Sequence, residues 1–206
     1  MADMEAFRDA VTGWAAGGSG ERARDLAARL DVRTVVLLEG PSDFAAVEAL
    51  AALRGRDLAA EGVCVLPMGG AMSVGRYAGL LGPNGLGLRL TGLCDEREQG
   101  FYHRGMERAG ASPGDVFVCV ADLEEEMIRA LGPETVEGIV LRTEEDQRPW
   151  QTFVRQPAQH DRTREQRLRR FLGTRKGRKI RYGRLLVEAL SPGRTPAPLD
   201  ALFANL

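Results

Sequence analysis

Lysine is almost absent: Lys176 and Lys179 are the only two among 206 residues, and arginine supplies every other positive side chain. Histidine is equally scarce. His103 and His160 stand apart from one another and from any nucleophile, which removes zinc-ribbon and histidine-based nucleophilic chemistry. The three cysteines, Cys64, Cys94 and Cys119, are odd in number and each lies in an apolar run, so they read as buried free thiols of a reducing compartment. No apolar run reaches about 18 residues, and Met1–Glu5 lacks the basic, apolar start of a secretion signal. Membrane-spanning and secreted classes are therefore set aside, and a cytoplasmic location is expected. A Gly-x4-Gly-Lys-Ser/Thr phosphate loop is also missing.

The net charge of −1 hides a strong polarity. Between Gln147 and Arg184 there are thirteen Lys and Arg against two acids, while the remainder carries fifteen basic and twenty-seven acidic residues. An acidic body with a basic C-terminal flank fits a phosphate-rich partner, because each neutralised phosphate releases condensed counterions. A solvated arginine-rich helix face is the plain alternative.

Thr34–Leu38 (TVVLL) is a short, β-branched apolar run of the kind buried on both faces of a parallel sheet, followed by the amphipathic stretch Phe44–Leu53. Ser42 is a candidate cap for that helix. The strand-then-helix unit recurs at Gly62–Pro67, Leu86–Cys94 and Val116–Ala121, and Glu137–Leu141 is a candidate fifth strand. From Pro149 onward the pattern is helical, with helices expected at Arg162–Leu172, Ile180–Leu190 and Leu199–Leu206. This alternation predicts an α/β fold, a Rossmann-like parallel sheet of four to five strands flanked by helices, with a helical C-terminal extension. The expected division is an N-terminal helical segment (1–30), an α/β domain (31–146) and a basic helical extension (147–206).

Three of these strands end in acids: Glu39 and Asp43, then Asp95, then Asp122 and Glu124. Ligands of open parallel sheets bind beyond the carboxyl ends of the strands, so the fold gathers these carboxylates at one rim. Grouped carboxylates repel unless a cation compensates them, and hard oxygen donors suit one or two Mg²⁺ or Mn²⁺ ions. Each acid also has a local reading. Asp122 with Glu125 fits a capping box, Asp95 an N-cap, and Asp43 a partner for the helix dipole. Glu39, at a buried strand end before Gly-Pro, has no such duty. Trp150, Phe153, Phe171 and Tyr182 interleave with the arginines and read as helical core in preference to base-stacking surfaces. Met68-Gly69-Gly70 is either a plain turn or a phosphate contact.

The run Leu38-Glu39-Gly40-Pro41-Ser42-Asp43 resembles the Glu-Gly-x-x-Asp/Glu opening of TOPRIM domains, and Leu93-Cys94-Asp95 resembles the start of their Asp-x-Asp motif. Val120-Ala121-Asp122-Leu123-Glu124 before a helix, with a lysine in a basic C-terminal segment, is similar to the version in OLD (overcoming lysogenization defect) family nucleases. That resemblance implies a TOPRIM α/β fold and metal-dependent hydrolysis of DNA. It makes Glu39, Asp43, Asp95, Asp122 and Glu124 metal ligands, with Glu39 alternatively orienting the attacking water. Lys179, or Lys176, would stabilise charge on the scissile phosphate, and Arg175, Arg178 and Arg181 would contact nucleic acid.

Two departures stand out. Arg97 replaces the second Asp of Asp-x-Asp, leaving Glu96 or Glu98 to stand in or one metal position weakened. OLD nucleases join an ATPase to the TOPRIM domain, so any ATP-driven step is expected to need a separate ATPase partner. The rival expectations are a non-catalytic TOPRIM module that binds nucleic acid or such a partner, and, behind it, a receiver-like phosphoryl-transfer domain.

Overall fold

The computed structural model describes residues 2–206, apart from the side chains of Ala2 and Lys176. The chain opens with α1 (Ala2–Ala15) and α2 (Glu21–Arg29), and then alternates β1 (Thr34–Leu38), α3 (Pro41–Leu53), β2 (Val63–Pro67), α4 (Val74–Leu81), β3 (Arg89–Asp95), α5 (Gln99–Arg108) and β4 (Val116–Cys119). A helical half follows: α6 (Leu123–Leu131), α7 (Pro133–Arg142), α8 (Glu144–Val154), α9 (Arg164–Gly173), α10 (Lys176–Glu188) and α11 (Ala197–Asn205). None of the described helices is long and apolar enough to cross a membrane.

Among the described residues the strands form one parallel sheet in the order β2-β1-β3-β4. β1 lies inside it with Val35, Val36, Leu37 and Leu38 fully buried, as a continuous apolar run requires when helices cover both faces. Alternate residues feed two cores. Val36, Leu38, Val65 and Leu93 pack with α3 and the helical half, while Val35, Leu37, Cys64 and Cys94 pack with α1, α2, α4 and α5. Each such side chain withdrawn from water contributes roughly 1.5–3 kcal/mol before entropy is counted.

Glu137–Leu141 is not a strand. It lies within α7, where Pro133 supplies the first turn and Val136 and Val140, four residues apart, are buried along one face. The helical pattern also begins earlier than Pro149, which sits inside α8. The aromatics expected in the core are there: Trp150 meets Phe171 edge-on at 5.1 Å between ring centroids, and Tyr182 is fully buried.

Two close contacts fix α10 in place. Gly183 of α10 faces the backbone of Ser42 in α3, and a Cβ there would stand 2.5 Å from the Ser42 carbonyl oxygen. Only a glycine lets the helices come this near, and Lys179, one turn earlier, is thereby set beside the start of α3. At Arg178 the structure departs from a surface cation. Its guanidinium is buried, lies 2.7 Å from Asp146, bonds the Phe171 carbonyl and Thr174 hydroxyl, and covers the Phe171 ring.

Candidate metal centre at the carboxyl rim

The strand order reverses between β1 and β3, and the crevice there is where ligands of open α/β sheets bind. Leu38 pairs with Leu93 across those strands, so Glu39, just past β1, and Asp95, the last residue of β3, emerge side by side. A 3₁₀ turn over Glu96–Glu98 then brings Glu98 back towards them. One carboxylate oxygen from each of Glu39, Asp95 and Glu98 lies within 4.8 Å of the other two. Arg97, between them, is exposed. Glu98 therefore supplies the acid missing from the interrupted Asp-x-Asp pattern, one residue later.

Asp43 lines the same cleft, along with Leu93, Cys94, Cys119 and Leu123. The cleft measures ≈ 10 Å³, about the space of one water or one ion. Asp43, not Ser42, closes the start of α3: its Oδ2 accepts from the Gly40 N–H at 3.2 Å, and Ser42 is buried. Asp95 makes no capping hydrogen bond, which leaves its carboxylate directed to the cleft group.

The opposite side of the rim comes from the β4–α6 connection. Ala121 adopts a left-handed φ of 68°, a strained conformation for a residue with a Cβ, immediately before Asp122. Asp122 does cap α6, accepting from the Glu125 N–H at 2.8 Å, and it also accepts from Arg169 Nε of α9 at 2.7 Å. Glu124 is buried with its Oε1 3.4 Å from Lys179 Nζ.

The electrostatics carry the mark of crowded like charge. Burial first, then the neighbouring Asp122 and Asp43, raises Asp95 to about 7. Burial and hydrogen bonding with Glu39 raise Glu98 to about 8. Glu124 is raised to about 7 by burial, which Lys179 only partly offsets, and burial likewise raises Asp43 against the pull of Lys179. Burial works against the charge on Lys179, but Glu124, Asp43 and Asp95 outweigh it and hold its pKa above the ordinary value. Such opposed shifts at a strand-end crevice are typical of functional sites.

All five acids expected from the sequence thus reach one rim, and Lys179 reaches it too. The Lys176 side chain lies outside the described residues. Arg175 is exposed. Arg178 presents no guanidinium to solvent, and Arg181 is drawn onto Glu145 and Asp146, so these two fasten α10 to α8. Arg178 is thereby withdrawn from the nucleic-acid surface expected of it, its charge paired with the buried carboxylate of Asp146, while Arg181 stays partly exposed. Glu98 was legible only as one of two stand-ins. Arg169 carried no sequence signal beyond lying in the basic flank, since 47 positions separate it from Asp122.

Residues 32–96 match the family model of the overcoming lysogenization defect protein-like TOPRIM domain, a segment that includes Glu39, Asp43 and Asp95. Among solved structures, the C-terminal region of the Xanthomonas campestris pv. campestris OLD protein superposes with a TM-score of 0.59 at 23% identity, covering 84% of this chain and 93% of that one. The C-terminal region of the Burkholderia pseudomallei OLD protein gives a TM-score of 0.58 at 17% identity, covering 84% and 96%. No curated protein sequence matches the chain. The chain therefore has the fold of these OLD C-terminal regions, with an OLD-like TOPRIM segment over residues 32–96.

Proposed function

We propose that this OLD-like TOPRIM fold is a divalent-metal-dependent nuclease that hydrolyses phosphodiester bonds of DNA. The observation that carries the reading is the meeting of Glu39, Asp95 and Glu98 at the strand-order reversal, with the Lys179 ammonium across the cleft. The donors suit Mg²⁺ or Mn²⁺: they are hard carboxylate oxygens, the buried Glu98 Oε2 has no hydrogen-bond partner, and among the described residues no cation pairs with Glu39, Asp95 or Glu98.

Glu39, Asp95 and Glu98 would hold the ion, with Asp43 lining its cleft. A bound divalent ion supplies polarisation of a phosphoryl oxygen and a more acidic water. Glu39, free of any capping duty, either ligates or orients that water. Lys179, set beside the start of α3 by the Gly183 contact, would meet the charge that develops on the scissile phosphate. Asp122 and Glu124 complete the rim. Arg175 and the other exposed arginines of the basic flank attract the DNA backbone, a contribution that weakens as salt rises.

Incubating the purified protein with supercoiled plasmid and Mn²⁺ tests this: nicking by wild type that is lost in Glu39→Ala and in Asp95→Asn is expected. A wild type that fails to nick, or a Glu39→Ala variant that nicks equally, overturns it. Arg97, in place of a family carboxylate, favours one second reading, a module that binds nucleic acid or a separate ATPase partner without cutting. Salt-dependent DNA binding that is indifferent to EDTA, with no cleavage, would select that reading.

A further inference from the structure

Apart from Asp43, which caps α3 and lies between them, the acids of the rim divide into two sets with different compensation. Glu39, Asp95 and Glu98 crowd together with no described cation paired to any of them. On the α6 side each acid already has one: Arg169 Nε stands 2.7 Å from Asp122 and its Nη1 3.1 Å from Glu125, and Lys179 Nζ stands 3.4 Å from Glu124. Both cations come from the helical half, α9 and α10, and reach over to the β4–α6 connection.

We propose that the site takes a single divalent ion, on the Glu39–Asp95–Glu98 side, and that Arg169 and Lys179 occupy the place of a second cation on the Asp122–Glu124 side. This rests on the proposed metal-dependent reading and specifies how it is carried out in this chain. Two observations agree. Asp122 is doubly engaged, by the Glu125 N–H and by Arg169, which leaves few lone pairs for a metal. Removing a cation partner from the buried Glu124 would expose an uncompensated charge, so the ion pair resists displacement. Arg169 is half-buried, with one face on a groove of ≈ 440 Å³ between α6 and α9 that presents Arg129 and Gln166 along with the acids Glu125 and Glu165.

Counting Mn²⁺ on the full chain by electron paramagnetic resonance of the free ion, alongside isothermal titration calorimetry, tests the inference without reference to activity. One ion per wild-type chain is expected, and the Arg169→Gln/Lys179→Met double variant should take up two. Two ions of comparable affinity on wild type overturn the inference while leaving metal dependence intact. No ion on wild type overturns both the inference and the metal-dependent reading. One ion on a double variant that melts cooperatively shows that the two cations do not hold a second site, and also overturns it. Asp95→Asn, which should drop wild-type binding from one ion to none, confirms which side is loaded.

Discussion

The two sides of the acidic rim are made of the same chemical group and behave differently. On the β1–β3 side, strand geometry forces Glu39, Asp95 and Glu98 together, and no described cation stands within ion-pair distance of them. On the α6 side, Asp122 and Glu124 meet guanidinium and ammonium groups from two later helices. A carboxylate cluster is thus a demand for positive charge, and whether protein or solvent ion answers it depends on which helices pack nearby. On the proposed reading the first side takes an ion, while the acids of the second already stand within ion-pair distance of protein cations.

The most damaging change should fall on the uncompensated side. Glu39→Gln or Asp95→Asn is expected to lower the cleavage rate by on the order of 10³-fold or more, the scale of several kcal/mol of lost charge stabilisation, with the fold retained. Equal rates for variant and wild type would erase the distinction between the sides. Next comes the compensated side: Lys179→Met should cost about 10²-fold in kcat with a smaller change in KM, as for loss of one charge-stabilising donor. Were Asp122→Asn instead to match Glu39→Gln in severity, both sides would have to bind metal.

Gly183→Val attacks the approach of α10 to α3. Overpacking of this kind costs about 1–3 kcal/mol, read as a lower melting temperature, and it should also reduce cleavage by moving Lys179 away from Glu124. A variant that is destabilised yet fully active would show that the lysine's placement does not depend on this contact.

The smallest effect is one of pH. Asp95, Glu98 and Glu124 hold protons more tightly folded than unfolded, at about 7, 8 and 7 against ordinary values of 3.8, 4.5 and 4.5. The stability they contribute is complete below their unfolded values and drains away as pH rises through the folded ones. Metal-free protein should therefore melt a few degrees lower at about pH 8.5 than at about pH 5, and Mn²⁺ should restore the loss at the higher pH. A melting temperature in EDTA that is flat or rises across that interval would contradict the crowding.

Much of the architecture is legible in the sequence because it is local. The β-branched run Thr34–Leu38, the acids at three strand ends and the break into helix after each strand are all readable without coordinates. Glu137–Leu141 misleads because a short apolar run looks alike as strand or helix, and only the burial of Val136 and Val140 on one side separates the two. Asp43 takes the place of Ser42 as the residue closing α3 because the helix begins at Pro41, which puts Ser42 inside the first turn and Asp43 at the third position, where its carboxylate reaches back to the Gly40 N–H. Arg178 reads as solvent-facing charge until the fold buries Asp146, 32 positions away, against it.

By itself the amino-acid sequence determined that a parallel sheet would form and that Glu39, Asp43 and Asp95 would leave it at the same end, since alternation of strand and helix orients every strand alike. Tertiary packing alone decided which carboxylates meet a protein cation. Coulombic pairing depends on distances of a few ångströms, and the cations that settle it, Arg169 and Lys179, lie 47 and 55 positions beyond the acids they meet.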